Sequence, residues 1–330
     1  MRSSYTQSGR RLVSLAALTA VAGLALSGCS TAASTDEASD GPIEISVVLA
    51  AVAFENAYQA QEQGFFEDAG LDVTIIPGND PAANLAQLVS GEVDFAVVGG
   101  STAVTAAAQG MPVKVVLNNE AIDGEASTSG LIAAPGSPIK SMEDMEGKSV
   151  AVLGLATGAE IQLYEAAEEV DVPFDSMKLV VTPISGMLEA VGAGHVDTAI
   201  IFPPFYEIAK AQGFTVVAEP TREFGGGVPN TVWVATESTI NDRPDVVDRF
   251  RTAMSKAADF YNDNYEDARR ITGEYTEIPP EMLVNRVYVE RTPDVNVDRY
   301  QHLIDMMVRF GQVTDPPAAE DILAKGTETR

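Results

Sequence analysis

The chain has 330 residues, 48 of them acidic and 21 basic, for a formal net charge of −27 at pH 7. A field of that sign repels phosphate backbones and argues against nucleic acid as a partner. The single cysteine rules out a disulfide framework, so the fold must rest on ordinary hydrophobic cores, and the length suffices for two of them.

Residues 1–28 read as a leader rather than as part of the fold. Arg2, Arg10 and Arg11 form a basic start, and Leu12 to Leu26 form an apolar run shorter than the roughly 20 residues a spanning helix needs. Leu26-Ser27-Gly28-Cys29 closes it and resembles the lipobox of bacterial lipoproteins, which implies cleavage before Cys29 and lipidation of that cysteine. The alternative is an ordinary secretory signal with a chance cysteine. Arg10-Arg11 suits twin-arginine export, but Gly9 and Ser14 fit that pattern poorly, so a plain positive start is favoured. Residues 29–41, small, polar and acidic, have the composition of a flexible tether. Without residues 1–28 the count becomes 18 basic against 48 acidic residues, a formal charge of −30.

From Pro42 onward the elements follow in order. A strand, IEISVVLA, leads into a loop at Ala50 to Ala57 that carries Phe54, Glu55 and Asn56. A helix over Tyr58 to Ala69 ends at Gly70, and Leu71 to Ile76 form the second strand. Asp80-Pro81 opens the next helix, since Asp accepts hydrogen bonds from free N–H groups and Pro has none to lose. That helix ends at Gly91, and a strand over Val93 to Val98 leads through Gly99-Gly100 into a helix capped by Ser101 and followed by Thr102. Gly110 stops it, and Val113 to Leu117 form another strand, with Asn118 at its end. The polar stretch to Gly130 reads as a crossover. Ser129 to Ala134 then opens a second lobe, in which a capped turn near Ser141 precedes the strand Val150 to Leu153.

The second lobe repeats the first. Gly154 to Ala159 is a strand-to-helix loop with Thr157 as cap and Gly158 beside it. After Leu179 to Val181, Ser185-Gly186 caps a helix that ends near Gly194. Val196-Asp197 and a strand to Phe202 follow, Pro203-Pro204 start a helix, and Phe214 to Ala218 close the copy. The stretch Leu188 to Glu219 thus restates Asn84 to Glu120. Near-continuous apolar strands alternating with helices predict mainly parallel sheets covered on both faces. Glu219 to Pro229 reads as the return crossover, and Thr231 to Thr236 as a strand rejoining the first lobe. The expected boundaries are 42–128 with 225–330 for the first lobe and 129–224 for the second. Beyond them come a helix from Pro244 to about Tyr265, another from Pro279-Pro280, and a third over Arg299 to Phe310.

These residues carry a resemblance. The chain resembles the solute-binding proteins of bacterial ABC importers, in the group serving nitrate, taurine, alkanesulfonates and thiamine-precursor pyrimidines. The match runs through Gly64-Phe65-Phe66, Gly70-Leu71-Asp72-Val73, Gly91-Glu92-Val93-Asp94-Phe95 and Gly110-Met111-Pro112-Val113-Lys114. It continues through Ile139, Ser141, Asp144, Gly147-Lys148, Val196-Asp197 and the tail YQHLIDMMVRFG, about residues 43 to 312 in all. The resemblance implies a type II periplasmic-binding-protein-like fold, α/β, with two lobes and two crossovers closing on one small molecule. It also implies an exported monomer, anchored by lipidated Cys29 to the outer face of the cytoplasmic membrane, that meets a permease and its ATPase. Where the family's second-lobe helix often starts with an acid before proline, this chain has Phe202-Pro203-Pro204.

Strand C-terminal ends and helix N-termini mark the cleft, because free N–H groups there favour anionic or acceptor-rich groups. The candidate ligand contacts are Phe54, Glu55, Asn56, Ser101, Thr102, Asn118, Thr157, Gly158, Ser185 and Phe202, with Phe54 and Phe202 placed to sandwich an aromatic or alkyl part. No Lys or Arg lies in the expected cleft loops, which weighs against a bare anion and towards an organic ligand. Two further readings stand beside transport. One is a ligand-sensing lipoprotein; the other is an enzyme, since related pyrimidine synthases use a histidine and a cysteine-rich motif. His195, in a turn, and His302, in the C-terminal helix, form no Cys/His or Ser/His/Asp constellation, so neither a cofactor nor a metal is expected.

Overall fold

The computed structural model describes residues 41–49, 56–78, 81–121, 129–203, 205–275, 283 and 289–330. The leader and tether, and the helix expected at Pro279-Pro280, lie outside them.

The first half supplies β1 (Ile43–Val48), α1 (Asn56–Glu62), α2 (Phe65–Asp68), β2 (Leu71–Ile76), α3 (Pro81–Ser90), β3 (Phe95–Gly99), α4 (Gly100–Ala108) and β4 (Val113–Ala121). The single helix expected over Tyr58 to Ala69 is in fact two, because Gly64 takes φ 73 and turns the chain where a side chain would be strained. The second half supplies β5 (Gly130–Ala133), β6 (Ser149–Val152), α5 (Gly158–Glu168), β7 (Lys178–Val181), α6 (Ile184–Gly192), β8 (Thr198–Ile201), α7 (Phe205–Ala211) and β9 (Thr215–Ala218). After α8 (Pro220–Phe224), β10 (Pro229–Thr236) returns to the first sheet, and the short α9 (Glu237–Asp242) follows it.

The two sheets have the same plan. The first runs β2-β1-β3-β10-β4 and the second β7-β6-β8-β5-β9. In each, three parallel strands lie beside one antiparallel strand, β10 or β5. The repeat reaches to single hydrogen bonds. Asp94 accepts the N–H of Ser46 at 2.8 Å, and Asp197 accepts the N–H of Ser149 at 2.8 Å, the partners 48 residues apart in both cases. Each aspartate joins its sheet's first central strand to the residues before its third, so the Val-Asp pair in each copy has a structural reason.

Burial divides the apolar residues over three clusters. Phe95, Trp233 and Phe250 meet on one face of the first sheet, with Phe250 stacked 4.0 Å from Phe95 between ring centres. Phe250 comes from α10 (Pro244–Asp263), whose buried Val247, Phe250, Met254, Ala257 and Tyr261 keep helical spacing and need no functional explanation. The helix ends at Asp263 with Asn264 as its cap, close to the expected end, and α11 (Tyr265–Tyr275), a helix the sequence reading did not expect, follows.

A second cluster passes continuously from the other face of the first sheet to the second, through α12 (Val297–Arg309). Tyr300 donates to the Gly100 carbonyl at 3.0 Å, and His302 Nε2 lies 2.9 Å from Glu165 Oε1 on α5. Arg309 pairs with Glu168, and Phe310 packs against Tyr164 and Phe174 at 5.3 and 5.1 Å. Burial lifts the Glu165 carboxyl above its ordinary value, an effect that His302 and Arg299 oppose.

Asp197 gives this plan a pH signature. The Ser149 hydroxyl and N–H hold its carboxyl below the usual range. Its contribution is therefore present above the ordinary aspartate pKa and lost as pH falls through the lowered value. In urea titrations, Asp197→Ala should cost about 1 kcal/mol at pH 7. The gap to wild type should close towards pH 3; a gap constant with pH would remove the role assigned to the carboxylate.

Candidate functional site

Parallel strands β6, β7 and β8 all end at one edge of the second sheet, and the helices that follow them start there. At that edge is a small recess of about 70 Å³, lined by Val152, Leu153, Thr157, Ala159, Glu160, Ile200 and Phe202. It is smaller than the roughly 300 Å³ at which ligand pockets begin, so it suits one end of a solute rather than a whole one.

Two of the expected contacts, Thr157 and Phe202, line the recess. Thr157 caps α5 as its sequence position suggested: its side chain accepts the Glu160 N–H at 3.3 Å. Gly158 is the first residue of that helix, and a Cβ built there meets nothing within 4 Å. Phe202, just past β8, is half-buried and its carbonyl accepts the Tyr206 N–H at 3.0 Å.

Ser101 and Ser185 are not the caps expected of them. Gly99 precedes α4 and Pro183 precedes α6, neither with a side-chain cap bond, so each serine falls one step inside its helix. Ser101 is buried, Thr102 half-buried and Ser185 exposed. Asn56 begins α1 and is buried, and its Oδ1 has no hydrogen-bond partner among the described residues. Asn118 is also buried, with its amide spent on the Thr292 carbonyl at 2.5 Å. Phe54 and Glu55 lie outside the described residues.

Three features escaped the sequence reading. The buried Glu160 accepts the Ala156 N–H at 2.7 Å and the Tyr164 hydroxyl at 2.8 Å. Burial first, and then this hydrogen bond, push the Tyr164 hydroxyl above its ordinary pKa. Leu153, expected within the β6 strand, stands beyond its end and is exposed. Arg291 arrives from a distant segment to pair with Glu120 near the end of β4 and lies 4.7 Å over the Tyr261 ring. Its charge is matched by an acid, so it adds no free anion fork to this edge. Among the described residues no cluster of His, Cys, Asp or Glu has metal-binding geometry. His195 is exposed in its turn.

The architecture, two α/β lobes each with an exchanged antiparallel strand, is that of periplasmic binding proteins. The chain belongs to the family described as NMT1/THI5 like, whose model matches residues 52–268. A protein of Brucella abortus named as a binding protein is 24% identical over 275 residues, 79% of this chain and 83% of the relative. The YtlA binding protein of Bacillus subtilis is 23% identical over 249 residues, 73% of each chain. Among solved structures, the periplasmic aliphatic sulphonate binding protein SsuA of Escherichia coli superposes with a TM-score of 0.73 at 16% identity, over 88% of this chain and 94% of its own. The desulfurization enzyme DSZB also superposes, at 0.66 and 14% identity, over 86% and 97%.

The glycines separate packing from access. A Cβ on Gly100 would lie 2.2 Å from the Pro229 carbonyl oxygen, whereas one on Gly158, next to the recess residues Thr157 and Ala159 in the chain, meets nothing within 4 Å. Gly100→Ala should therefore cost about 1–3 kcal/mol by overpacking. Gly158→Ala should leave the melting temperature within a degree or two and still weaken solute binding. Equal melting losses for the two variants in thermal denaturation would refute the distinction.

Proposed function

We propose that the protein is an extracytoplasmic solute-binding component of an ABC importer, capturing a small organic solute between its lobes and delivering it to a permease and ATPase. The observation that carries this reading is the recess at the second sheet's C-terminal edge, built from the α5 N-terminus and the ends of β6 and β8. The free N–H groups of α5 suit an acceptor-rich group, and the phenyl ring of Phe202 suits an aromatic or alkyl body. Relatives named as binding proteins and the fold shared with sulphonate-binding proteins support the same reading. We place the first lobe at 42–128 with 225–330 and the second at 129–224. The candidate contacts are Phe54, Glu55, Asn56, Ser101, Thr102, Asn118, Thr157, Gly158, Ser185 and Phe202. A sulfonate-like or pyrimidine-like solute fits better than bare nitrate, because no unpaired Lys or Arg lies at the recess.

A thermal-shift screen over nitrate, taurine, alkanesulfonates, aromatic acids, pyrimidines and flavins tests this, since a compound that binds only the folded state raises its melting point by mass action. At least one organic compound should raise it, reduce the radius of gyration in solution scattering and emerge chemically unchanged. Stabilisation by nitrate alone would overturn the organic preference, and turnover of a hit would turn the reading towards an enzyme.

We further propose that Cys29 is lipidated and that the protein is held to the outer face of the cytoplasmic membrane by that anchor, as a monomer. No helix among the described residues is long and apolar enough to cross a membrane. In detergent-phase partitioning of cells expressing the full chain, wild type should enter the detergent phase and Cys29→Ala the aqueous phase. Equal partitioning would remove the anchor.

A further inference from the structure

The second sheet exposes large apolar side chains where its three parallel strands end. Val181 closes β7 and is 58% exposed; Leu153, just past β6, is 41% exposed, and Leu155 is 62% exposed. Since β7, β6 and β8 are neighbours, Val181, Leu153 and Phe202 form a row along one sheet edge. The interior of the recess beside them is apolar as well, with Val152, Ala159 and Ile200 in its lining. Single exposed leucines need no explanation, but Leu153 and Phe202 line an apolar recess while Val181 and Leu155 stand exposed on neighbouring stretches of the chain, and together they mark a surface that is covered in use.

The loop holding the leucines is also constrained. Ala156 takes φ 57, a left-handed conformation that is costly for a residue with a Cβ. Its N–H is tied to Glu160 Oε2, while Glu160 Oε1 is held by Tyr164, so a buried carboxylate locks the turn that carries Leu155 outward. That same carboxylate lines the recess and repels any anionic group that enters it.

We propose that Leu153 and Leu155, with Phe202, receive the apolar alkyl or aryl body of the solute, and that Glu160 is the positioning residue that fixes their turn. The apolar body lies against these side chains, and any acidic head points away from Glu160, which leaves the α5 N–H groups to an uncharged acceptor. This assignment rests on the solute-binding reading and names the class of solute it serves.

The test is calorimetric titration of the full chain with nitrate, taurine, and n-alkanesulfonates and n-alkylamines from two to eight carbons. Affinity should rise about threefold to fourfold per methylene whichever head group is carried. Leu155→Ser and Leu153→Ser should weaken the six-carbon compounds at least tenfold with the unliganded melting temperature unchanged, because both side chains already stand in water. Glu160→Ala should flatten the dependence on chain length, and Glu160→Gln, which still accepts the Ala156 N–H, should restore it. A merely structural Glu160 would lower stability without changing that slope. Binding of nitrate or taurine with no chain-length dependence would keep the solute-binding reading and overturn this assignment. Failure of every compound to bind would overturn both.

Discussion

Strand direction is the constraint on which the structure depends. Parallel neighbours cannot be joined by a tight hairpin, so each pair requires a crossover helix, and every such helix starts at the same edge of its sheet. In this chain β1, β2 and β3 obey that rule in one sheet and β6, β7 and β8 in the other. Loop sequence and helix N-termini are thereby gathered at two edges, and the second sheet's edge adds the exposed Leu153, Leu155 and Val181. The opposite edge is given over to stability, which is where Asp94 and Asp197 bind the N–H groups of Ser46 and Ser149.

The lobes are joined more firmly than two crossovers alone would achieve. Helix α12 touches the start of α4 through Tyr300 and the middle of α5 through His302, while Phe310 enters an aromatic group with Tyr164 and Phe174. Of these contacts the aromatic ones carry the more dependable energy. The His302–Glu165 contact must offset the desolvation of its carboxyl, and the raised Glu165 carboxyl is a sign of that cost. The pair contributes orientation, and the rings contribute adhesion. Tyr164 serves both regions: its ring packs on Phe310, and its hydroxyl holds Glu160 beneath the recess.

Among the lining residues of the recess, Glu160 is the one that carries an ionisable carboxyl. Where an arginine fork would hold a sulfonate or nitrate, the second lobe presents a carboxylate, Glu160, and an apolar rim. The buried guanidinium of Arg291 is occupied by Glu120. Helix N-termini remain as a source of positive potential, but each is worth only a fraction of a charge and acts against the field of a strongly acidic protein.

Much of the fold was legible in the sequence because its signals are local. Apolar strands, stopping glycines and the doubled Val-Asp spacing each depend on neighbours within a few residues, and the two α/β sheets flanked by helices that they implied are the ones observed. Thr157 was legible for the same reason, since a cap and its N–H partner lie three residues apart. Ser101 and Ser185 each lie two positions past the residue that precedes their helix, because whether a serine caps a helix depends on the backbone of the preceding turn, which Gly99 and Pro183 decide. Gly64 broke a helix that periodicity had joined. The site itself depended on tertiary structure. Leu153 reads as one more strand residue until the strand is seen to end at Val152. Arg291 and Asn118 come to their partners from far along the chain. Periodicity fixes which face of an element is apolar; only packing decides whether that face is covered and which apolar residues stay exposed at the sheet edge.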